Sequence, residues 1–283
     1  MPGMSTHTAD NTSRTVKVDG VSIHYHDAGS ADEVLVMLHG GSPGASGWSN
    51  FGGNLPALAE RFRVLLIDLP HFGKSDRPAG RYLDIDEYAG VVADTLDAIG
   101  IAKAHFLGTS MGGAVVMELA MTRPEKVGRI VLSCAAGSVP MFSPPFSEGT
   151  KPIIGYFQGD GPSKEKMEAL IRTLVYDQSL VTPEVVDSHY RASVAIESSV
   201  VREFRGAGKF MNLWRSADKI PHKTLLIYGR DDRATSWDNS LVLLRLMPDA
   251  DLHVFSRCGH WAQWERGAEF NRVVENFLTS PAT

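Results

Sequence analysis

Short runs of consecutive apolar residues alternate along this chain with longer stretches whose apolar residues recur every three or four positions. Continuous apolar runs are typical of strands buried on both faces of a parallel sheet, whereas the wider spacing is typical of amphipathic helices. The runs lie at residues 34–38, 64–67, 104–107, 130–132, 224–228 and 252–255, and they include only His105, Thr224 and His253 as polar residues. This alternation predicts an α/β fold with a mostly parallel central sheet and helices on both of its faces.

Two further signals place elements in the N-terminal third of the chain. Asp19-Gly20 separates two short stretches that contain regularly spaced apolar residues, which predicts a tight β-hairpin. Helical spacing is clearest in residues 85–99, and Gly100 is expected to end that helix.

The pattern changes after residue 140, where no strand-like run occurs for more than seventy residues. A segment rich in Pro and Gly is followed by helical spacing in residues 167–174. Thr182-Pro183 is typical of a helix start, with an N-cap residue before a proline at the first helical position. Apolar residues within 200–210 suggest one more helix.

This change divides the chain into three parts. Residues 140–216 are expected to form a helical lid that covers the sheet edge, shapes a pocket and excludes water. The lid interrupts a core domain of residues 16–139 and 217–283. Residues 1–15 are rich in Ser, Thr and Asn and lack the apolar segment of a signal peptide, so we expect a disordered tail.

Candidate chemistry begins where the third long apolar run ends, in Gly108-Thr109-Ser110-Met111-Gly112. A strand, a G-x-S-x-G turn and a helix in this order make up a nucleophile elbow. Glycine on each side of the serine removes side chains that would collide in so tight a turn, and the turn exposes the Ser110 hydroxyl. The sequence therefore predicts Ser110 as a nucleophile close to the N-terminus of a helix.

A serine hydroxyl becomes a good nucleophile only when a base accepts its proton and a third group orients that base. Asp232 and His260 each follow a predicted strand, so both are expected at the same sheet edge as Ser110. The chain order of Ser, Asp and His is that of α/β-hydrolases. Asp231 is the alternative to Asp232, and His260 is preferred over the other histidines because it directly follows the last strand.

Backbone N–H groups are the expected binding site for an oxyanion. We predict that this site consists of the N–H groups of Met111, after the nucleophile, and of Gly41, in the small-residue loop after residue 38. His39, at the start of that loop, is expected to brace it by hydrogen bonding.

Composition and charge limit the ligands, the macromolecular partners and the cellular compartment that we expect. The 283 residues carry a net charge of -5 without a run of Lys or Arg, which excludes a typical nucleic-acid-binding face. No apolar run reaches the roughly 18–20 residues of a membrane helix. The two cysteines form no C-x-x-C motif, which favours a reducing compartment, namely the cytoplasm. We expect a small-molecule substrate, no cofactor, and no metal, because the His, Asp and Cys residues show no ligand spacing on one element.

These motifs resemble the meta-cleavage product hydrolases, a branch of the α/β-hydrolase superfamily. The resemblance covers residues 21 to 278 and rests on six blocks, at residues 39–44, 47–51, 108–112, 176–182, 229–233 and 252–265. It implies hydrolysis of a carbon–carbon bond in vinylogous 1,5-diketones made by opening an aromatic ring. It also implies a homodimer or homotetramer. The substrate contacts that it implies are Gly40, Ser42, Asn50, Thr109, His189 and Trp261.

Three of these residues depart from the family pattern. Ser42 stands where the family usually has a third glycine, and Thr109 where it usually has Asn. His189 stands where a lid arginine usually pairs with the substrate carboxylate, and an imidazole does not reproduce bidentate pairing. Arg191 is the alternative cation, although two residues correspond to about 200° around a helix.

Two other functions remain open on the same residues. One is hydrolysis of an ester, thioester or lactone by the same three side chains, which the departures at Thr109 and His189 would fit. The other is a non-catalytic binding protein that retains the fold.

Overall fold

The computed structural model describes residues 7–78, 83–144, 148–195 and 211–281 of the chain. Eight strands form one sheet in the order β1-β2-β4-β3-β5-β6-β7-β8. The strands are β1 (Ser13–Val18), β2 (Val21–Ala28), β3 (Val34–Leu38), β4 (Arg63–Ile67), β5 (Ala104–Thr109), β6 (Val127–Ser133), β7 (Thr224–Gly229) and β8 (Ala250–Phe255).

Six neighbouring strands, from β4 to β8, run parallel, and β1 and β2 add an antiparallel hairpin at one side. The predicted α/β fold with a mostly parallel central sheet is confirmed. Because parallel strands all end at the same edge, the segments that follow β3, β5, β6, β7 and β8 meet there. This edge carries every predicted catalytic residue.

Helices connect the strands and continue beyond the last one. Within the described residues they are α1 (Gly47–Phe51), α2 (Leu55–Leu58), α3 (Ile85–Ala98), α4 (Met111–Thr122), α5 (Thr150–Gly155), α6 (Lys164–Leu174), α7 (Pro183–Val194), α8 (Asn239–Leu246), α9 (Ala262–Glu265) and α10 (Gly267–Thr279). Short 3-10 helices occupy Pro124–Lys126, Gln178–Leu180 and Leu213–Lys219. None of the helices in these ranges is long and apolar enough to cross a membrane.

Local signals in the sequence have clear structural counterparts. Asp19 and Gly20 both take positive φ angles, 47° and 84°, as a two-residue hairpin turn requires. Gly100 also has a positive φ, 75°, just after α3. The Thr182 side chain caps α7 by accepting a hydrogen bond from the Val185 N–H. The hairpin, the helix end and the cap are therefore confirmed, whereas the helix expected within 200–210 lies outside the described residues.

Apolar side chains collect in two clusters. The larger one surrounds the sheet, and the smaller one joins helices α6 and α7 to Trp261, which directly follows His260. Leu213 and Ala217 belong to the larger cluster, although residue 213 falls inside the predicted lid. The last residues assigned to the lid therefore pack with the core, because the 3-10 helix there contacts α4 and α8.

The predicted tail is too long at its C-terminal end. Strand β1 begins at Ser13, and its hydroxyl contacts Nε2 of His24 at 2.8 Å. Next to it, the Thr12 hydroxyl contacts Nδ1 of His26 at 2.9 Å. Residues 13–15 are ordered because they pair with β2, and the two hydroxyls give the buried imidazoles polar partners.

Candidate active site

Ser110 lies between β5 and α4 in a strained turn. Its φ and ψ are 51° and -118°, a conformation that non-glycine residues rarely adopt. Its N–H donates to the Ser133 carbonyl at 3.1 Å, and its own carbonyl accepts from Gly113 and Ala136 at 3.0 Å each. These bonds hold the turn between two neighbouring strands, and the Ser110 hydroxyl has no hydrogen-bond partner among the described residues.

The two glycines of the turn are required by close backbone packing. A Cβ atom at Gly112 would lie 2.2 Å from the Leu38 carbonyl oxygen, and one at Gly108 would lie 2.4 Å from the Gly112 carbonyl oxygen. Both distances are far below a normal contact. The glycines therefore let α4 begin directly against the ends of β3 and β5, which sets the position of Ser110.

Asp232 and His260 form a buried pair at the same edge. Asp232 Oδ2 accepts a hydrogen bond from His260 Nδ1 at 2.7 Å, and both side chains are almost inaccessible to solvent. Asp232 Oδ1 accepts from the backbone N–H groups of Ala234 and Thr235 at 2.7 and 2.9 Å. The carboxylate is thus held from both sides and fixes the imidazole so that Nε2 is left to act as a base.

The two neighbouring acidic residues make different contacts. Asp231 contacts the side chain of Arg230 and is partly exposed, whereas Asp232 contacts His260. Ser110 reaches the same edge, because its N–H donates to Ser133. The residue after Ser133 is Cys134, whose sulfur lies within 4.8 Å of a carboxylate oxygen of Asp232 and a ring nitrogen of His260. The structure therefore brings Ser110, Asp232 and His260 to one edge.

The loop after β3 packs against the elbow. A Cβ at Gly40 would lie 3.2 Å from the Cβ of Ser110, and one at Gly41 would lie 3.0 Å from the sulfur of Met111. Within the described ranges, the N–H groups of Gly41 and Met111 make no hydrogen bond. Met111 is also the first residue of α4, where the helix dipole favours negative charge. These two N–H groups are available to an oxyanion.

Asn50 and His39 hold this loop in place. The Asn50 side-chain oxygen accepts from the Gly40 N–H at 3.2 Å. His39 Nδ1 donates to the Gly40 carbonyl at 2.8 Å, and its Nε2 accepts from the Leu69 N–H at 3.0 Å. Burial lowers the pKa of His39, so the ring is neutral and can both donate and accept. The predicted bracing role of His39 is confirmed.

Two of the departures from the family pattern lie at the rim of this centre. Thr109 is buried, and its hydroxyl has no hydrogen-bond partner among the described residues. Ser42 is half-buried, and its carbonyl accepts from the Ala45 N–H at 3.0 Å.

His189 lies in α7 and contacts the loops that follow β3 and β8. Its ring stacks on Trp261 with centroids 5.3 Å apart, and its carbonyl lies close to Gly44. Its Nδ1 donates to the Val185 carbonyl at 2.9 Å. Arg191, in contrast, pairs with Asp187, and its side chain is 77% exposed. Of the two candidates for a substrate contact, His189 therefore lies next to the site and Arg191 faces solvent.

Glu265 joins the lid to the loop that carries His260. Its Oε1 accepts from the Gly259 N–H at 2.7 Å, and its Oε2 accepts from the N–H groups of Tyr176 and Asp177 at 2.7 and 2.9 Å. The His260 N–H also donates to the Leu174 carbonyl at 2.7 Å. Burial raises the pKa of Glu265, although the three N–H donors oppose this effect. Residues 174–177, in the segment predicted to form the lid, thus support the position of His260.

Sequence reasoning missed Cys134, which lies just after β6 with its sulfur within 4.8 Å of ligand atoms of Asp232 and His260. Its backbone has a positive φ, 45°, and its thiol is fully buried. Burial raises the pKa of this thiol well above its usual value, and the Asp232 carboxylate acts in the same direction. Its position after a strand could have indicated it, since β6 ends at the same edge as the strands that precede Ser110, Asp232 and His260.

The chain is similar in sequence to a known family and to curated enzymes of that family. The family model for the alpha/beta hydrolase fold matches residues 33–267. A 2-hydroxy-6-oxononadienedioate/2-hydroxy-6-oxononatrienedioate hydrolase of Burkholderia vietnamiensis is 39% identical, over 96% of this chain and 97% of that protein. A 2-hydroxy-6-oxo-6-phenylhexa-2,4-dienoate hydrolase of Burkholderia cepacia is 38% identical, over 94% and 95% of the two chains.

A solved structure extends the similarity to three dimensions. The meta-cleavage product hydrolase of Pseudomonas fluorescens IP01 superposes with a TM-score of 0.86 at 33% identity, covering 94% of this chain and 97% of that chain. The similarity therefore extends over almost the whole length of both chains.

Proposed function

Because this chain belongs to the meta-cleavage product hydrolases of the α/β-hydrolase family, we propose that it hydrolyses a carbon–carbon bond in a ring-opened aromatic metabolite. The substrate would be a vinylogous 1,5-diketone of the 2-hydroxy-6-oxo-hexa-2,4-dienoate type. The observation that carries the proposal is the Asp232–His260 pair, which lies at the same sheet edge as an elbow serine in a chain similar over its length to enzymes named for this reaction.

The proposed reaction begins with conversion of the dienol to its keto tautomer. Ser110 then attacks the carbon of the distal ketone while His260 Nε2 accepts the hydroxyl proton. The tetrahedral intermediate collapses with cleavage of the carbon–carbon bond, and His260 returns the proton to the leaving carbon. Water then releases the acyl group from Ser110, so the products are 2-hydroxypenta-2,4-dienoate, or a relative of it, and a carboxylic acid.

Each remaining residue has a role in this scheme. Asp232 orients His260 and stabilises the imidazolium that forms. The N–H groups of Gly41 and Met111 bind the oxyanion, as the close packing of their loops supports. The proposed substrate contacts are Gly40, Ser42, Asn50, Thr109, His189 and Trp261.

The test is direct, because the dienolate form of such substrates is coloured. Purified protein should bleach 2-hydroxy-6-oxo-dienoates, and the Ser110→Ala variant should be slower by about 10³-fold or more. The panel should include a distal phenyl group and a distal carboxyalkyl chain, since both occur in the names of relatives. If no member of the panel is bleached faster by the wild type than by Ser110→Ala, the proposal fails.

A second candidate is ester hydrolysis, and the state of His189 favours it. Burial lowers the pKa of this imidazole, so near neutral pH it offers no positive charge to a substrate carboxylate. A substrate without that carboxylate, such as a neutral ester, thioester or lactone, would not need a positive charge at this position. Turnover of nitrophenyl esters that greatly exceeds turnover of every dienoate would favour this candidate, and negligible ester turnover would eliminate it.

The proposal extends to the setting of the enzyme. We infer a cytoplasmic protein, since both cysteines are buried free thiols. The proposed reaction needs no cofactor, because Ser110 and His260 supply the nucleophile and the base. We also infer a homodimer or homotetramer, which sedimentation or light scattering would test directly. A monomer at micromolar concentration would contradict this last inference without affecting the proposed reaction.

A further inference from the structure

Three potential metal ligands that follow three different strands meet at the sheet edge that carries Ser110. They are the sulfur of Cys134, a carboxylate oxygen of Asp232 and a ring nitrogen of His260, and these atoms lie within 4.8 Å of one another. All three residues are buried. Only Asp232 and His260 have a role in the proposed reaction, so the thiol is an additional group beside the pair.

Thiolate, imidazole and carboxylate together form a donor set that suits borderline and soft divalent cations such as Zn²⁺ and Cd²⁺. Zinc binds these ligands at about 2.0–2.3 Å, so ligand atoms around it lie about 3.3–3.8 Å apart. The cluster therefore has to contract by about an ångström at its widest separation. The Asp232–His260 contact of 2.7 Å has to open by about half an ångström.

The support around Asp232 makes this rearrangement feasible. Oδ1 already accepts two backbone N–H groups, from Ala234 and Thr235, and keeps them when Oδ2 turns to a cation. Such outer hydrogen bonds orient a metal ligand and strengthen its binding. His260 is held independently, because its own N–H donates to the Leu174 carbonyl.

We propose that Cys134, Asp232 and His260 form an inhibitory site for a thiophilic divalent cation. The cation displaces the proton of the Cys134 thiol, which passes to solvent. It binds His260 at Nδ1, and the proton of that nitrogen moves to Nε2. Because Nε2 then carries a proton, it no longer accepts one from Ser110. The bound cation is thus an inhibitor, distinct from the metal cofactor whose absence the sequence predicts.

The burial of the site gives the inhibition a kinetic signature. A cation reaches three buried ligands only when the surrounding loops open, so inhibition develops slowly after mixing. Hard cations such as Mg²⁺ prefer oxygen ligands and do not inhibit. Cysteine at position 258 offers a matched control, because it is also a buried free thiol and lies two residues before His260.

The first experiment measures binding without any enzymatic assay. Cd²⁺ is titrated into the Cys258→Ala variant, in which Cys134 is the only thiol, and the thiolate-to-metal charge-transfer absorption is recorded. One equivalent of Cd²⁺ should produce the band, and Cys134→Ala should lack it while retaining Cys258. Absence of the band in Cys258→Ala, or an equal band in Cys134→Ala, overturns the proposal.

The second experiment measures inhibition and rests on the proposed function. Preincubation with Zn²⁺ or Cd²⁺ should inhibit the wild type and Cys258→Ala, and a chelator should restore activity. In Cys134→Ala and Cys134→Ser the inhibition constant should rise at least tenfold, relative to each variant's own uninhibited rate. Equal inhibition of all four proteins would mean that the cation binds elsewhere, for example at Nε2 of His260. Binding by absorption without turnover of any substrate would refute only the proposed function.

Discussion

At His189 a single hydrogen bond decides what the side chain can offer a ligand. A carbonyl oxygen can only accept, so the bond to Val185 places the ring proton on Nδ1 and leaves Nε2 as an acceptor. Burial lowers the pKa of the ring, and the Val185 carbonyl only partly opposes this. The side chain that stands in place of a carboxylate-binding arginine is therefore neutral near pH 7.

Exchange of this residue should change the preference for a charged substrate. His189→Arg is expected to raise kcat/KM for a dienoate about tenfold relative to its methyl ester, because a charged hydrogen bond contributes about 1.5–3 kcal/mol. Arg191→Ala should leave kcat/KM for the acid and for the ester within about twofold of the wild-type values, since Arg191 pairs with Asp187 and is exposed to solvent. Steady-state kinetics with the acid and the ester measure the ratio. A tenfold loss in Arg191→Ala would show that this guanidinium reaches the substrate.

Stability toward acid is a second property set by single residues. Burial lowers the pKa of His26 to about 4, below the value near 6.5 of an exposed imidazole. As the pH falls from about 6.5 to about 4, the unfolded chain takes up a proton at this residue before the folded protein does. The contribution of neutral His26 is thus complete above pH 6.5 and is lost across this range.

His26→Gln should flatten that dependence. The slope of the unfolding free energy against pH between 6.5 and 4 should decrease by up to about 1.4 kcal/mol per pH unit, which corresponds to one proton. Urea unfolding at a series of pH values measures it, with His253→Gln on the edge strand β8 as the control. An unchanged slope in His26→Gln would contradict the expectation.

At the scale of elements, the site depends on how closely one helix starts against two strands. The first turn of α4 contacts the end of β3 through Gly112, and no side chain fits between them. Ser110 owes its position to this contact. The strain in its backbone is maintained by hydrogen bonds to residues on both sides of β6's end, Ser133 and Ala136.

Two Gly→Ala substitutions in helices should therefore have opposite effects. Gly112→Ala is expected to lower the free energy of unfolding by more than about 2 kcal/mol, because its Cβ would meet backbone oxygens that cannot move aside. Gly90→Ala, in α3, has open space around its Cβ and should raise stability by about 0.5–1 kcal/mol. Denaturant unfolding compares the two. Similar changes in both variants would mean that packing at the elbow has no special role.

At the scale of the whole molecule, the segment after α6 and the loop after β8 together hold His260, which we propose as the catalytic base. Glu265 binds N–H groups of both parts, and Trp261 lies in the apolar cluster of the lid although it belongs to the loop after β8. The position of His260 therefore depends on the lid being in place.

Glu265→Gln should weaken this connection while preserving the shape of the side chain. An amide has only one oxygen, so either Gly259 or the pair of lid N–H groups loses its acceptor, at a cost of about 1–3 kcal/mol. We expect Tm to fall by roughly 2–8 °C and kcat to fall several-fold. Calorimetry and kinetics measure both, with the partly exposed Glu269→Gln as control. A loss of Tm with unchanged kcat would show that the base is held by other contacts.

Local patterns were enough to predict much of this protein. Apolar runs, the G-x-S-x-G turn and the order of three residues after strand ends indicated the α/β fold and its edge of catalytic residues, because parallel strands necessarily end together. The sequence blocks also indicated the family, which the relatives confirm. The start of β1 was missed, since Ser13 gains order only from pairing with β2 and from contact with His24.

What the sequence by itself determined was the elements and the residues that end them, because those signals act within a few positions of the chain. Only the tertiary structure decided that Asp232 and not Asp231 faces His260, that His189 and not Arg191 lies beside the site, and that Cys134 joins the catalytic pair. Each of these outcomes depends on where a side chain points after distant segments have packed. No local sequence pattern encodes the direction of a side chain or its contacts with residues that are distant along the chain.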